Sequence, residues 1–243
     1  MQQINIVISG FDPYEGVDVN PAMLVPQALA ERWRDPSADE AGCDDLLQDV
    51  DVAISTVMLP VSFANAWPAL LDTIEKAQPD IIIATGLKRS SRGILLERCA
   101  TNLMDAAKPD ADNVIPSRRP INPEGPAAYW TRLPLRSILK DFAKHEIPAT
   151  LSSDAGTFVC NSLFYHLLDW SARQDRRILS GFVSLPIGNE QRPVRDHRAS
   201  APPADRRRSR RDSRNRTVPS ATLIRRHSVG MTWTISGRFL FSV

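Results

Sequence analysis

The stretch Ala149-Thr150-Leu151-Ser152-Ser153-Asp154-Ala155-Gly156-Thr157-Phe158-Val159-Cys160-Asn161-Ser162-Leu163-Phe164-Tyr165-His166-Leu167-Leu168-Asp169-Trp170 changes period in its middle. Ala149–Ser153 reads as a short strand, and Asp154-Ala155-Gly156 as a turn. From Cys160 to Trp170 the apolar residues Leu163, Phe164, Leu167 and Leu168 recur at helical spacing. Strand, glycine turn and helix make one βα unit. Such units, repeated along a chain, build a parallel sheet covered by helices.

The same alternation extends outward. Upstream, Pro134–His145 carries Leu135, Ile138, Leu139 and Phe142 on one helical face, and Gly93–Leu103 reads as a single strand. Between them Lys108–Gly125, with repeated Pro, Asp and Asn, reads as a long surface loop whose length suggests function. Further back lie a strand at Ile81–Thr85 ending at Gly86, a helix over Phe63–Ala77, and a strand over Val50–Leu59. The first run, Ile4–Gly10, is a buried strand, followed by a helix with Asn20 as cap and Pro21 at its first position. Downstream, Ile178–Leu185 is a final strand. The expected fold is α/β, a three-layer sandwich with a twisted, mostly parallel sheet covered by helices on both faces.

At 243 residues the chain can bury one sizeable core. Its 42% hydrophobic and 24% charged residues are those of a globular protein rather than a disordered or fibrous one. No apolar run approaches the roughly 20 residues of a membrane span, and the N-terminus lacks a basic-then-apolar signal pattern, so a cytoplasmic protein is expected. Cys43, Cys99 and Cys160 are odd in number and widely spaced, which argues against a disulfide framework.

Charge divides the chain. Residues 191–243 hold 13 Arg, no Lys and 3 Asp, a net of +10, leaving −8 for residues 1–190 of a chain whose total is +2. This ending is too poor in aliphatic residues to offset its ordering entropy, so the expected organisation is a folded domain over 1–190 and a disordered Arg-rich tail over 191–243. Its abrupt onset after a conventional strand resembles translation in a shifted reading frame. The tail's charge admits nucleic-acid binding. No nucleic-acid-binding fold motif accompanies it, and a solvated tail is the favoured reading.

Cys160 opens a helix after a glycine turn, where backbone N–H groups and the helix dipole favour a thiolate and can face an oxyanion. Read alone, it is equally a small buried hydrophobe. Glu97, read alone, is a strand-surface carboxylate.

At Cys160 the chain resembles a known family. Ile147-Pro148-Ala149-Thr150-Leu151-Ser152-Ser153-Asp154-Ala155-Gly156-Thr157-Phe158-Val159-Cys160-Asn161 is similar to the segment around the nucleophile of type I pyroglutamyl peptidases. Three further segments agree in order: Ser9-Gly10-Phe11-Asp12-Pro13-Tyr14 with Asn20-Pro21, Leu59-Pro60-Val61-Ser62-Phe63, and Glu97-Arg98-Cys99-Ala100-Thr101-Asn102. The resemblance covers roughly residues 4–190. It implies removal of N-terminal pyroglutamate from peptides, with Cys160 as nucleophile, a His as base and acid, and Glu97 as the orienting carboxylate. It further implies a pocket walled by Phe11, Tyr14, Leu87, Phe158 and Val159, no metal or cofactor, and a homo-oligomer, commonly a tetramer. The added hydroxyl of Tyr14, where the family usually has Phe, calls for a partner.

Two departures stand out besides the tail, which replaces an aliphatic C-terminal helix. The family's His position, in Gly181-Phe182-Val183-Ser184-Leu185-Pro186, is Ser184. A serine is no base near neutral pH, so an impaired or inactive homologue is the competing expectation. None of His145, His166, His197 and His227 is placed by the pattern to replace it. In addition, Lys88-Arg89-Ser90-Ser91 stands where the family has a small turn, bringing bulk and charge beside the pocket.

Overall fold

Alternation within the apolar runs lets each strand serve two faces at once. A computed structural model describes residues 2–14, 16, 17, 19–34 and 50–187. Cys43, His197, His227 and the whole of the expected tail lie outside the described residues. In β1 (Gln2–Phe11), Val7 enters one buried cluster while Ile6 and Ile8 enter the other. The pattern repeats in β3 (Ile81–Leu87), where Ile82 and Ala84 face one way and Ile81 and Ile83 the other. Strands buried on both sides require a helix layer on each face, which is why they read as continuous apolar runs.

The remaining elements supply those layers. Helices α1 (Pro21–Arg34) and α3 (Leu135–Lys144) pack with the cluster that holds Leu29, Ile138 and Phe142. Helices α2 (Ala66–Ala77) and α4 (Val159–Ala172) pack with the one that holds Leu70, Ile74, Leu163, Phe164 and Leu167. With β2 (Val50–Leu59), β4 (Ile94–Glu97), β7 (Ala149–Ser152) and β8 (Leu179–Leu185), the main sheet has the order β2-β1-β3-β8-β4-β7. The neighbours β2, β1, β3 and β8 are parallel, β4 is antiparallel to β8, and β7 is parallel to β4. The expected sandwich with a mostly parallel sheet is therefore the observed one.

The start of α1 shows how closely sequence and packing cooperate. Pro26, inside the helix, has no N–H to give the carbonyl of Ala22. The Thr85 hydroxyl lies 3.3 Å from that oxygen and 2.9 Å from the Ser9 carbonyl, its single hydrogen shared between the two. Gly10 makes the approach possible, since a Cβ there would fall 1.8 Å from the same oxygen. Asn20 fastens the corner: its amide donates to the carbonyls of Phe11 and Asp12, and its Oδ1 accepts the Ala22 N–H.

Two expected boundaries shift. Gly93–Leu103 is not one strand but β4 and β5 (Cys99–Thr101), parted at Arg98 because β5 leaves the main sheet to pair with β6 (Ala128–Trp130). That three-residue partner carried too weak a pattern to be foreseen. Helix α2 begins at Ala66 rather than Phe63, because Ser62 Oγ accepts the Asn65 N–H and Asp110 takes the Phe63 N–H. Asp110, nearly fully buried, also accepts from the N–H groups of Asp112 and Val114, so the long loop is pinned rather than loose.

Candidate active site

The site forms where β3, β8 and β4 run side by side under the start of α4. Register places Gly86 beside Ser184, and Phe182 beside Glu97. Ser184 and Phe182 lie two residues apart on one strand, so they share a face, the one covered by α4.

Gly86 sets the distance between sheet and helix. A Cβ there would fall 2.8 Å from Cys160 Sγ and 2.7 Å from the Phe182 ring, so only a glycine lets the thiol settle against the strand. On the helix side Asn161 is the anchor. Its side chain accepts the Thr101 N–H at 3.0 Å and donates to the carbonyls of Thr101 and Leu103 at 2.9 and 3.1 Å, fixing the first turn of α4 to β5. The role of Asn161 was not foreseen; a polar residue in the first turn of an otherwise apolar helix was the available signal. Phe158, the N-cap, offers no side-chain acceptor, which leaves first-turn N–H groups for an incoming oxyanion.

Glu97 is no surface carboxylate. It is 0% exposed, as against the expectation from its strand alone, because β4 is sandwiched between β7 and β8. Ser184, 4% exposed, donates from Oγ to Glu97 Oε1 at 2.7 Å, while Oε2 has no partner. The serine at this position thus fills one valence of the buried carboxylate and does not reach further. Burial, then the Glu97 charge, pushes the Cys160 thiol up to about 12, with Lys88 and the helix backbone pulling the other way. The helix start, expected to favour a thiolate, is outweighed.

The described histidines are occupied elsewhere. The His166 ring stacks on Trp67 at 5.9 Å and 16°, and burial holds its pKa below the ordinary value. His145 closes α3 with Nδ1 2.9 Å from the Asp141 carbonyl. Cys99 is a buried free thiol, its sulfur 3.9 Å from the Ser153 carbonyl.

Of the expected pocket residues, Phe11 and Val159 sit in the buried core and can back the pocket but scarcely line it. Tyr14 and Phe158 lie 6.4 Å apart, and the hydroxyl of Tyr14 finds its partner in the Pro109 carbonyl. Phe63, expected only on a helix face, packs edge-on to Phe158 at 5.2 Å. Lys108 places its ammonium 5.1 Å from the Tyr14 ring centre and 5.5 Å from that of Phe158, a cation over two aromatic walls. Leu87 is half-buried at the end of β3. Among the described residues no group of His, Cys, Asp or Glu is placed to hold a metal ion, and no helix is long and apolar enough to cross a membrane.

Comparison with known proteins points one way. A family model described as pyroglutamyl peptidase matches residues 4–205. The pyrrolidone-carboxylate peptidase of Bacillus subtilis (strain 168) is 39% identical over 186 residues, 76% of this chain and 80% of that one. The namesake from Bacillus licheniformis is 37% identical over the same shares. Among solved structures, pyroglutamyl peptidase I from Bacillus amyloliquefaciens superposes with a TM-score of 0.68 at 36% identity, covering 79% of this chain and 83% of that one. A mutant pyrrolidone carboxyl peptidase from Pyrococcus furiosus gives 0.66 at 32%, covering 77% and 83%.

Proposed function

The chain belongs to the pyroglutamyl peptidase family, and on that footing we propose that it removes N-terminal pyroglutamate (5-oxoproline) from peptides by cysteine-peptidase chemistry. Cys160 at the start of α4, Gly86 against its sulfur and the buried Glu97–Ser184 pair converge on one spot, and that convergence supports the assignment.

Cys160 Sγ attacks the carbonyl carbon of the pyroglutamyl residue, and the oxyanion so formed faces the uncapped N–H groups of α4. Collapse expels the peptide amine, which must gain a proton, and water then hydrolyses the thioester. The flat lactam lies against Phe158, Tyr14 and Phe63, with Leu87 at the rim and Phe11 and Val159 behind.

Proton transfer is the weak step. Ser184 spends its hydrogen on Glu97 and offers no base near neutral pH, and burial and the Glu97 charge keep the Cys160 thiol protonated there. Turnover is therefore slow, by about 10² to 10⁴ relative to a chain with a base at 184. The protein works as a cytoplasmic homo-oligomer, a homotetramer by resemblance to the family. Its domain spans residues 1–190, with the Arg-rich stretch beyond outside the catalytic unit.

Hydrolysis of a fluorogenic pyroglutamyl amide by the full chain, with Cys160→Ala and Ser184→His in parallel, tests this. Slow cleavage abolished in Cys160→Ala and raised in Ser184→His is expected. A Ser184→His protein that folds yet cleaves no faster than Cys160→Ala would overturn the assignment.

A further inference from the structure

Lys88 begins where β3 ends, two residues past the glycine that touches the Cys160 sulfur. Its N–H donates to the Leu185 carbonyl at 2.8 Å, which ties it to the end of β8 beside Ser184. From there the side chain crosses to the turn that feeds α4: the ammonium donates to the Asp154 carbonyl and lies 3.2 Å from Asp154 Oδ2. Asp154 is itself held, its N–H on Ser152 Oγ at 3.1 Å and its Oδ1 accepting the Gly156 N–H at 3.0 Å. The lysine side chain is only 27% exposed, against 79% for its acidic partner, so the cation lies on the inner side of the pair.

We infer that Lys88 is a positioning residue for the nucleophile: held by Asp154, it is the cation that stabilises the Cys160 thiolate as it forms. The inference rests on Cys160 being the nucleophile, but not on the rate of peptide cleavage. The groups around the sulfur divide simply. Glu97 from β4 opposes the negative charge, Ser184 from β8 is neutral, and the first-turn backbone of α4 favours it. Lys88 is the one side-chain cation, among the described residues, whose charge favours the thiolate. Asp154 has its carboxylate held by the Gly156 N–H and the lysine, which lower its pKa and keep it ionised.

The readout is alkylation of Cys160 by iodoacetamide in the full chain, followed by mass spectrometry of the Cys160 peptide from pH 7 to 11. Alkylation consumes the thiolate, so its rate follows the ionised fraction. Removing a nearby cation raises a thiol's pKa by about half a unit to one unit, which slows alkylation about three- to tenfold while the thiolate is scarce. Because the thiol stays mostly protonated throughout this range, Lys88→Met is expected to show that loss at every pH from 7 to 11, while Lys88→Arg stays within about twofold of the unmodified chain. A Lys88→Met profile that superposes on the unmodified one, or a Lys88→Arg profile that falls as far as that of Lys88→Met, overturns the inference. Should Lys88→Met not fold, Lys88→Gln, which keeps a donor for the Asp154 carbonyl but no charge, is read in the same way. Because no turnover enters the measurement, its failure is separate from failure of the peptidase assay.

Discussion

Adding one methyl group at Gly86 should damage both the fold and the thiol. The new Cβ would meet Cys160 Sγ at 2.8 Å and the Phe182 ring at 2.7 and 3.1 Å, where ordinary contacts run from 3.4 to 4 Å. Roughly 0.7 Å must therefore be found on two sides at once. Phe182 is fully buried against Phe164, 5.6 Å between ring centres, and cannot swing aside, so helix α4 must lift or the thiol must leave its rotamer. Overpacking of this kind costs about 1–3 kcal/mol. For a domain of this size that corresponds to a fall in Tm of roughly 2–12 °C. Displacing the sulfur from the α4 N-terminus should also cut hydrolysis by Gly86→Ala/Ser184→His about tenfold or more relative to Ser184→His alone. Gly156→Ala is the control: its positive φ of 79° strains an alanine, yet nothing lies within 4 Å of the added carbon, so a stability loss without displacement of the thiol is expected. A differential scanning melt and the pyroglutamyl amide assay, run on the pair, decide the matter. If Gly86→Ala melts with the unmodified chain and leaves turnover intact, the close packing of glycine and sulfur does not matter as argued.

Two more perturbations probe the site from its sides. Asn161→Ala strips hydrogen bonds from one backbone N–H and two carbonyls of the β5 region, and a loss of about 1–3 kcal/mol is expected in denaturant unfolding; an unchanged midpoint would show that water replaces the amide at no cost. Glu97→Gln removes the carboxylate charge that, after burial, pushes Cys160 up, so Cys160 alkylation at pH 8 should become faster even though any orienting function is lost; slower alkylation would contradict the assigned sign. In the unmodified chain the folded thiol at about 12 lies above its ordinary value near 9, so it binds its proton more tightly folded than unfolded. Its contribution to stability is complete below pH 9 and is lost as pH rises toward 12, a decline that Cys160→Ser should reduce in urea titrations at pH 8 and pH 10.5.

The layered fold was legible because strands buried on both faces must be apolar throughout, and helices buried on one face must repeat every three to four residues. The position of Cys160 in the first turn of a helix was legible for a related reason, since a strand, a glycine turn and an apolar helical period bracket it. What escaped were facts set by pairing across the sheet. That Glu97 is buried depends on β4 entering between β8 and β7 in the antiparallel sense, which no local pattern records. The contact of Ser184 with Glu97 follows from that register, 87 residues apart in sequence. The period of its apolar neighbours assigns Phe63 to a helix, whereas a hydrogen bond from its N–H to the distant Asp110 carboxylate holds it in the preceding turn, facing Phe158. Lys88 was recognised as a charge near the pocket, but its bridge to Asp154 required knowing that the ends of β3 and β7 lie close together.

Strand β8 is the last of the described elements along the chain, yet it lies between β3 and β4. A ribosome releasing this polypeptide from its N-terminus therefore presents two half-sheets, β2-β1-β3 and β4-β7, before the strand that joins them emerges. Until then Gly86 and Glu97 belong to separate pieces, and the facing edges of β3 and β4 are open to pairing with other chains. Assembly of the site thus waits on β8, and holding that strand back should yield aggregation-prone nascent chains.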